Sequence, residues 1–111
     1  LQFLNISNNI LTNNIPYTFQ HLKLLTTLDI SMNQLNGPIF DNIGEISSLQ
    51  FLYLQKNNFE KVLPSSIATL QYLNSLLIYD NQFTGTLNHV FNSTIQKNLS
   101  IIQISNNQFT G

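Results

Sequence analysis

The sequence predicts a repeat solenoid of the α/β class: about five coils of roughly 24 residues, each giving one strand to a concave parallel β-sheet, with an irregular or short-helical convex side and no caps. Two observations carry this. Aligned at Leu1, Leu25, Leu49, Leu73 and Leu99, the chain reads "LQFLNISNNIL", "LTTLDISMNQL", "LQFLYLQKNNF", "LNSLLIYDNQF" and "LSIIQISNNQF", with spacings of 24, 24, 24 and 26 residues. Every line follows LxxLxLxxNxL, with Ile or Phe replacing some Leu. In addition, the pentapeptide "NQFTG" at Asn81 to Gly85 returns at Asn107 to Gly111, so the polar corner recurs together with the apolar positions.

Each element of the template has a physical reason. In the central LxL the period of two puts both apolar side chains on one face of a short strand, as with Leu28 and Ile30 or Leu52 and Leu54. Strands are expected near residues 3–7, 27–31, 51–55, 75–79 and 101–105. Coils stacked at the ~4.8 Å strand spacing would set Leu25 above Leu49. One coil cannot bury its own apolar side, so the core lies between neighbours. Asn9, Asn33, Asn57, Asn81 and Asn107 fall where the chain leaves the strand. An amide there offers donors and an acceptor to backbone groups of adjacent coils, and an apolar residue read as buried follows two places later. The alternative for this row is a polar ligand-binding strip. Gly37, Gly85 and Gly111 stand four residues beyond the Asn, where a positive φ favours glycine; Asn13 tolerates the same conformation.

Composition limits what the chain does. With 111 residues and 42% hydrophobic content it is the size of one domain, read as one array over 1–111. Four Lys, no Arg and five acidic residues give a net charge of −1, too little positive charge to hold a phosphate backbone, so no nucleic-acid partner is expected. No apolar run approaches the ~18 residues of a membrane span. The start "LQFLNISNN" has neither a basic n-region nor an apolar h-region. No membrane contact is expected of this segment. Zero cysteines exclude a disulfide framework and thiolate metal sites. No cofactor, metal or catalytic motif is expected: GxSxG, GxxxxGK[ST] and HExxH are absent. His21 and His89 lie nearly three coils apart and are read as solvated rim residues, with a ligand or base as the alternative.

The template is that of leucine-rich repeats, and the resemblance covers the whole chain. "LNGPI" at Leu35 to Ile39, "NNIP" at Asn13 to Pro16 and "VLPSSI" at Val62 to Ile67 resemble the plant-type variant, LxxLxxLxLxxNxLxGxIPxxLxx. Departures are Lys61 and Asn13 where Gly is usual, and Phe40 and Asn88 where Pro is usual. The resemblance implies a right-handed horseshoe arc similar to ectodomains of receptor-like kinases and receptor-like proteins. Without caps, the array is expected to be an internal piece of a longer protein, with any kinase or membrane anchor elsewhere.

The alternating positions of each strand form the concave surface. One row reads Asn5, Asp29, Tyr53, Leu77 and Gln103; flanking rows read Phe3, Thr27, Phe51, Ser75, Ile101 and Ser7, Ser31, Gln55, Tyr79, Ser105. Phe51, Tyr53, Leu77 and Tyr79 cluster on coils three and four, and Asp29, Lys56 and Asp80 surround them with charge. An aromatic cluster with a polar rim fits a protein or peptide partner; the alternative is ordinary solvent-side residues of a sheet. Three glycosylation sequons occur, at Asn5, Asn92 and Asn98. Asn92 and Asn98 border the two-residue insertion, whereas a sugar on Asn5 would lie across the concave face. The leading reading is a non-catalytic recognition segment of an extracellular or cell-surface receptor-like protein. An intracellular scaffold joined to a signalling enzyme and a secreted inhibitor similar to polygalacturonase-inhibiting proteins use the same surface.

Overall fold

In a computed structural model of residues 1–111 the chain repeats one circuit: strand, corner, second strand, 3₁₀ turn and return. The strands are β1 (Phe3–Asn5), β2 (Thr12–Asn13), β3 (Thr27–Asp29), β4 (Gln34–Gly37), β5 (Phe51–Tyr53), β6 (Asn58–Val62), β7 (Ser75–Leu77), β8 (Gln82–Gly85), β9 (Ile101–Gln103) and β10 (Gln108–Phe109). The odd-numbered strands form one parallel sheet in the order β1-β3-β5-β7-β9. Its register sets Leu4, Leu28, Leu52, Leu76 and Ile102 in a single inward row, in which Leu28, Leu52 and Leu76 are fully buried. Each strand is three residues long, shorter than the five expected, but parallel pairing continues beyond it: Ile30 N–H donates to Tyr53 O (3.0 Å) and Met32 N–H to Gln55 O (2.9 Å).

The even-numbered strands form a second parallel sheet, which the sequence reading took for a plain corner. Residues there pair 22 apart, as Asn36 with Asn58 and Glu60 with Gln82, where the concave sheet pairs residues 24 apart, and the last pair of each sheet is two residues longer, at 24 and 26. The asparagine row has the same offset. Asn57 Oδ1 accepts Leu35 N–H (3.0 Å), Asn81 Oδ1 accepts Phe59 N–H (3.0 Å) and Asn107 Oδ1 accepts Phe83 N–H (3.0 Å), each reaching the residue two beyond the preceding Asn. The other end of each amide ties the strands together: Asn57 Nδ2 donates to Ile30 O (3.0 Å) on the coil before and Leu54 O (3.1 Å) on its own. Asn33 makes the equivalent bonds, whereas Asn9 is exposed and bonds only within its own coil.

Just before each of these asparagines the backbone is left-handed: Asn8, Met32, Lys56, Asp80 and Asn106 have φ between 53° and 59°. For a Met or Lys this costs on the order of 1–2 kcal/mol, and the side-chain bonds of the next residue hold the corner against it. A second left-handed position falls at Asn13, Gly37, Lys61, Gly85 and Gly111. At Gly37 a Cβ would meet only the end of the exposed Asn14 side chain, which can swing aside, so it is the φ of 79° that favours glycine there. Lys61, which departs from the repeat pattern, holds φ 70° with its side chain in solvent.

Behind the corner Phe59, Phe83 and Phe109 stack at 6.1 and 6.2 Å between ring centroids, the first two fully buried. The expectation that every residue two beyond the Asn is buried fails at Leu11, which is 40% exposed, and at the half-buried Phe109. Both belong to the outermost coils and have a neighbour on one side only.

The convex side carries 3₁₀ turns at Tyr17–His21, Asp41–Glu45, Ser65–Thr69 and Asn88–Val90. Pro16, Phe40 and Pro64 precede the first three with φ of −62°, −65° and −69°, so Phe40 adopts a proline-like backbone without being proline. Where Asn88 replaces proline, the turn starts on that residue and runs for three residues instead of five. His89 is consequently half-buried, with Nε2 2.7 Å from Leu63 O, and not the solvated rim residue expected; His21 is exposed.

The longer last spacing creates a break that one side chain closes. In the preceding coils Ile46 N–H bonds Ile43 O and Leu70 N–H bonds Ile67 O. The corresponding residue after the insertion is Gln96, six positions beyond Val90 and out of reach for that bond. Its side chain takes over: Nε2 donates to Val90 O (3.2 Å) and Ile67 O (2.8 Å), and Oε1 accepts Asn92 N–H (2.7 Å). Gln96 is 5% exposed. Gln96→Leu keeps the volume and leaves Val90 O and Asn92 N–H without a partner, while Ile67 O keeps Leu70 N–H, so chemical denaturation should show a loss of about 1–3 kcal/mol; a neutral result would mean the loop closes without the amide.

Candidate functional site

Register alone assembles the concave surface. Asp29, Tyr53 and Leu77 are direct neighbours on β3, β5 and β7, and Phe51 sits beside Thr27 and Ser75. Phe51, Tyr53, Leu77 and Tyr79 are all half-buried. The rings of Phe51 and Tyr53 are tilted at 46° with centroids 6.2 Å apart, within the range of aromatic pair contact, and both remain partly open to solvent. Tyr79 stands one row further along, where Lys56 N–H donates to its carbonyl (3.0 Å).

The charged residues occupy distinct settings. Asp29 Oδ1 accepts both Ser31 N–H (3.1 Å) and Ser31 Oγ–H (2.6 Å), which fixes the carboxylate against the sheet. Lys56 and Asp80 lie on the left-handed corners at the edge of the face. The Asp80 carboxylate accepts Asn106 Nδ2 at 2.7 Å, whereas the exposed Lys56 makes no ion pair; the single ion pair joins Lys23 to Glu45 (3.9 Å) on the convex side.

One residue of this face was missed by sequence reasoning. Gln55, between Ser31 and Tyr79 in the third row, is 8% exposed, and its Oε1 is the one buried side-chain polar atom without a hydrogen-bond partner. Nothing in "YLQKN" signals that burial, which it shares with Ser31 of the same row. On the opposite side a crevice of about 290 Å³ is lined by Lys23, Asn42, Gly44, Glu45, Ser47, Ser66 and Thr69. With no apolar side chain in its wall it offers no anchor for a hydrophobic group. Asn92 and Asn98 are exposed and lie outside both β-sheets, whereas Asn5 is on β1.

The model of the Leucine Rich Repeat family matches residues 1–22, 24–46 and 48–70, stretches that follow the first three coils. The chain belongs to the leucine-rich repeat family. This leucine-rich repeat array is 37% identical over 111 residues to Receptor-like protein 18 of Arabidopsis thaliana, covering all of the chain and 13% of that relative. Among solved structures it resembles PEPR1–AtPEP1 with a TM-score of 0.94 and 37% identity, over 99% of this chain and 15% of that one. It is also similar to the ectodomain of the Arabidopsis receptor kinase HAESA in complex with an IDA peptide hormone ligand, with a TM-score of 0.90 and 30% identity, over 98% of this chain and 18% of that one. The array thus spans a small part of the proteins it resembles, and its repeats are of the plant type.

Proposed function

We propose that this leucine-rich repeat segment is a non-catalytic part of an extracellular plant receptor surface and seats a peptide or protein ligand on its concave sheet, centred on the third and fourth coils. The observation that carries the reading is the half-buried cluster Phe51, Tyr53, Leu77 and Tyr79, assembled by register on a face where the other strands place single, more exposed apolar residues, Phe3 and Ile101, among polar ones. Tyrosines suit such a contact, burying large area for two torsions of lost freedom and presenting a hydroxyl at the tip. Support comes from the likeness to a receptor kinase ectodomain that holds a peptide hormone. From Asp29 to Leu77 the row crosses two inter-strand steps, about 10 Å, which an extended ligand covers in about three residues. Asp29 at one end and the free Lys56 at the edge favour a ligand carrying a cation and an anion at matching places.

Gln55 gives the proposal a distinctive test. An acceptor buried without a partner costs the fold free energy, and a ligand N–H seated between Tyr53 and Tyr79 would supply the partner. Tyr53→Ala and Tyr79→Ala should each weaken binding of the cognate peptide to the full-length protein by more than ~1 kcal/mol, and Thr27→Ala and Gln20→Ala by less than ~0.5 kcal/mol. Gln55→Met should also weaken binding while leaving stability unchanged or raised. In calorimetric titration, neutral Tyr53 and Tyr79 variants would move the ligand off these coils; a Gln55→Met protein that lost stability would show that the fold itself uses the amide.

A further inference from the structure

We propose that Asn92 is the acceptor of an N-linked glycan carried behind the solenoid, away from the concave sheet. The proposal rests on the extracellular reading above. Asn92-Ser93-Thr94 meets the chemical requirement of the modification, an Asn followed at the second position by a hydroxyl with no proline between. In the transfer, Asn92 Nδ2 attacks the anomeric carbon of an oligosaccharide held on a lipid diphosphate. The new carbon–nitrogen bond forms as the bond from that carbon to the phosphate oxygen breaks. Nδ2 releases one proton and the lipid diphosphate leaves.

The folded chain accommodates the product at this position. Asn92 lies between the turn Asn88–Val90 and β9, its side chain exposed. Its Oδ1 accepts Thr94 N–H (3.0 Å), whereas its Nδ2 donates no hydrogen bond. A glycosylated amide keeps Oδ1 and one N–H, so no bond of the fold is given up. Gln96 clamps the loop from inside through Asn92 N–H, which holds the acceptor outward. The neighbouring Ile95, 39% exposed, is apolar surface that a sugar would cover.

Asn98 is also exposed and serves as the second acceptor. Asn5 is the contrasting case by position: its amide, like that of Asn92, accepts through Oδ1 alone, from Ser7 N–H (3.0 Å) and Ser7 Oγ–H (2.7 Å), but it stands in the concave row beside Asp29. A glycan there would lie about 10 Å, two inter-strand steps, from Tyr53.

The test uses native protein from its own tissue, labelled first with a membrane-impermeant biotin reagent, then treated with an N-glycosidase in heavy-oxygen water and digested with trypsin. Cleavage after Lys61 and Lys97 puts Asn92 and Asn98 on separate peptides, so each is read independently. The expected result is surface labelling with heavy-oxygen aspartate at Asn92 in most molecules, at Asn98 in a smaller share, and none at Asn5. Asn92→Gln and Thr94→Ala, the second of which keeps the Asn92 to Thr94 backbone bond, should each remove one glycan's mass without reducing surface delivery. Surface-labelled protein with unmodified Asn92 would overturn the glycan and leave the receptor reading standing. Protein untouched by the reagent and unmodified would overturn both. Occupancy at Asn5 equal to that at Asn92 would overturn the assignment by face.

Discussion

Replacing Leu52 with alanine is expected to destabilise the fold by ~2–5 kcal/mol, while Tyr53→Ala, one residue away, should cost less than ~1 kcal/mol. Leu52 is fully buried between Leu28 and Leu76, its register partners on both sides. A coil has no other core to share the loss with, because the apolar row exists only between neighbours. Tyr53 points the other way and is half-exposed. Equilibrium denaturation read by circular dichroism checks the contrast, and equal losses would mean that the two faces of the strand have been exchanged.

An effect of similar size is expected at the corner. Asn57→Ala should cost about 3–5 kcal/mol, because it leaves Leu35 N–H without its acceptor and removes a donor from both Ile30 O and Leu54 O in the buried interior. The change also withdraws support from the left-handed backbone at Lys56. Asn9→Ala removes two bonds within one exposed coil and should cost less than ~1 kcal/mol. Denaturation separates the two, and hydrogen exchange at the Leu35 amide should quicken in the Asn57 variant. Equal behaviour of Asn9 and Asn57 would remove the inter-coil role of the side chain.

These two residues mark what could be read from sequence. The inward row needed only a period of two inside a period of 24, and both survive the replacement of Leu by Ile or Phe. Parallel pairing followed from stacking identical units. The second sheet was hidden because its strands contain Asn36, Gly37 and Asn58, residues with weak strand propensity. Their pairing comes from the asparagine bonds and not from their own preference. The left-handed residue before each Asn was equally hidden, since Asn, Met, Lys and Asp share no chemistry that signals it.

The candidate surface was legible in part for the same reason. Tyr53 and Leu77 are neighbours because equivalent positions of successive coils always are. Burial of Gln55 and of Gln96 depends on how the coils pack around them, which the residue type itself does not signal. His89 shifted from the rim because the turn beside it starts one residue early, an outcome of Asn88 standing where a proline usually fixes the chain.

Seating of a ligand against the third and fourth coils is tested most directly by photo-crosslinking in the full-length protein in its own tissue. Tyr53 is replaced by p-benzoylphenylalanine in one protein and Gln20, on the convex turn, in another. The expected result on irradiation is a defined peptide or protein adduct at position 53 and none at position 20. An adduct at position 20 with none at 53 would contradict concave-face recognition by this segment.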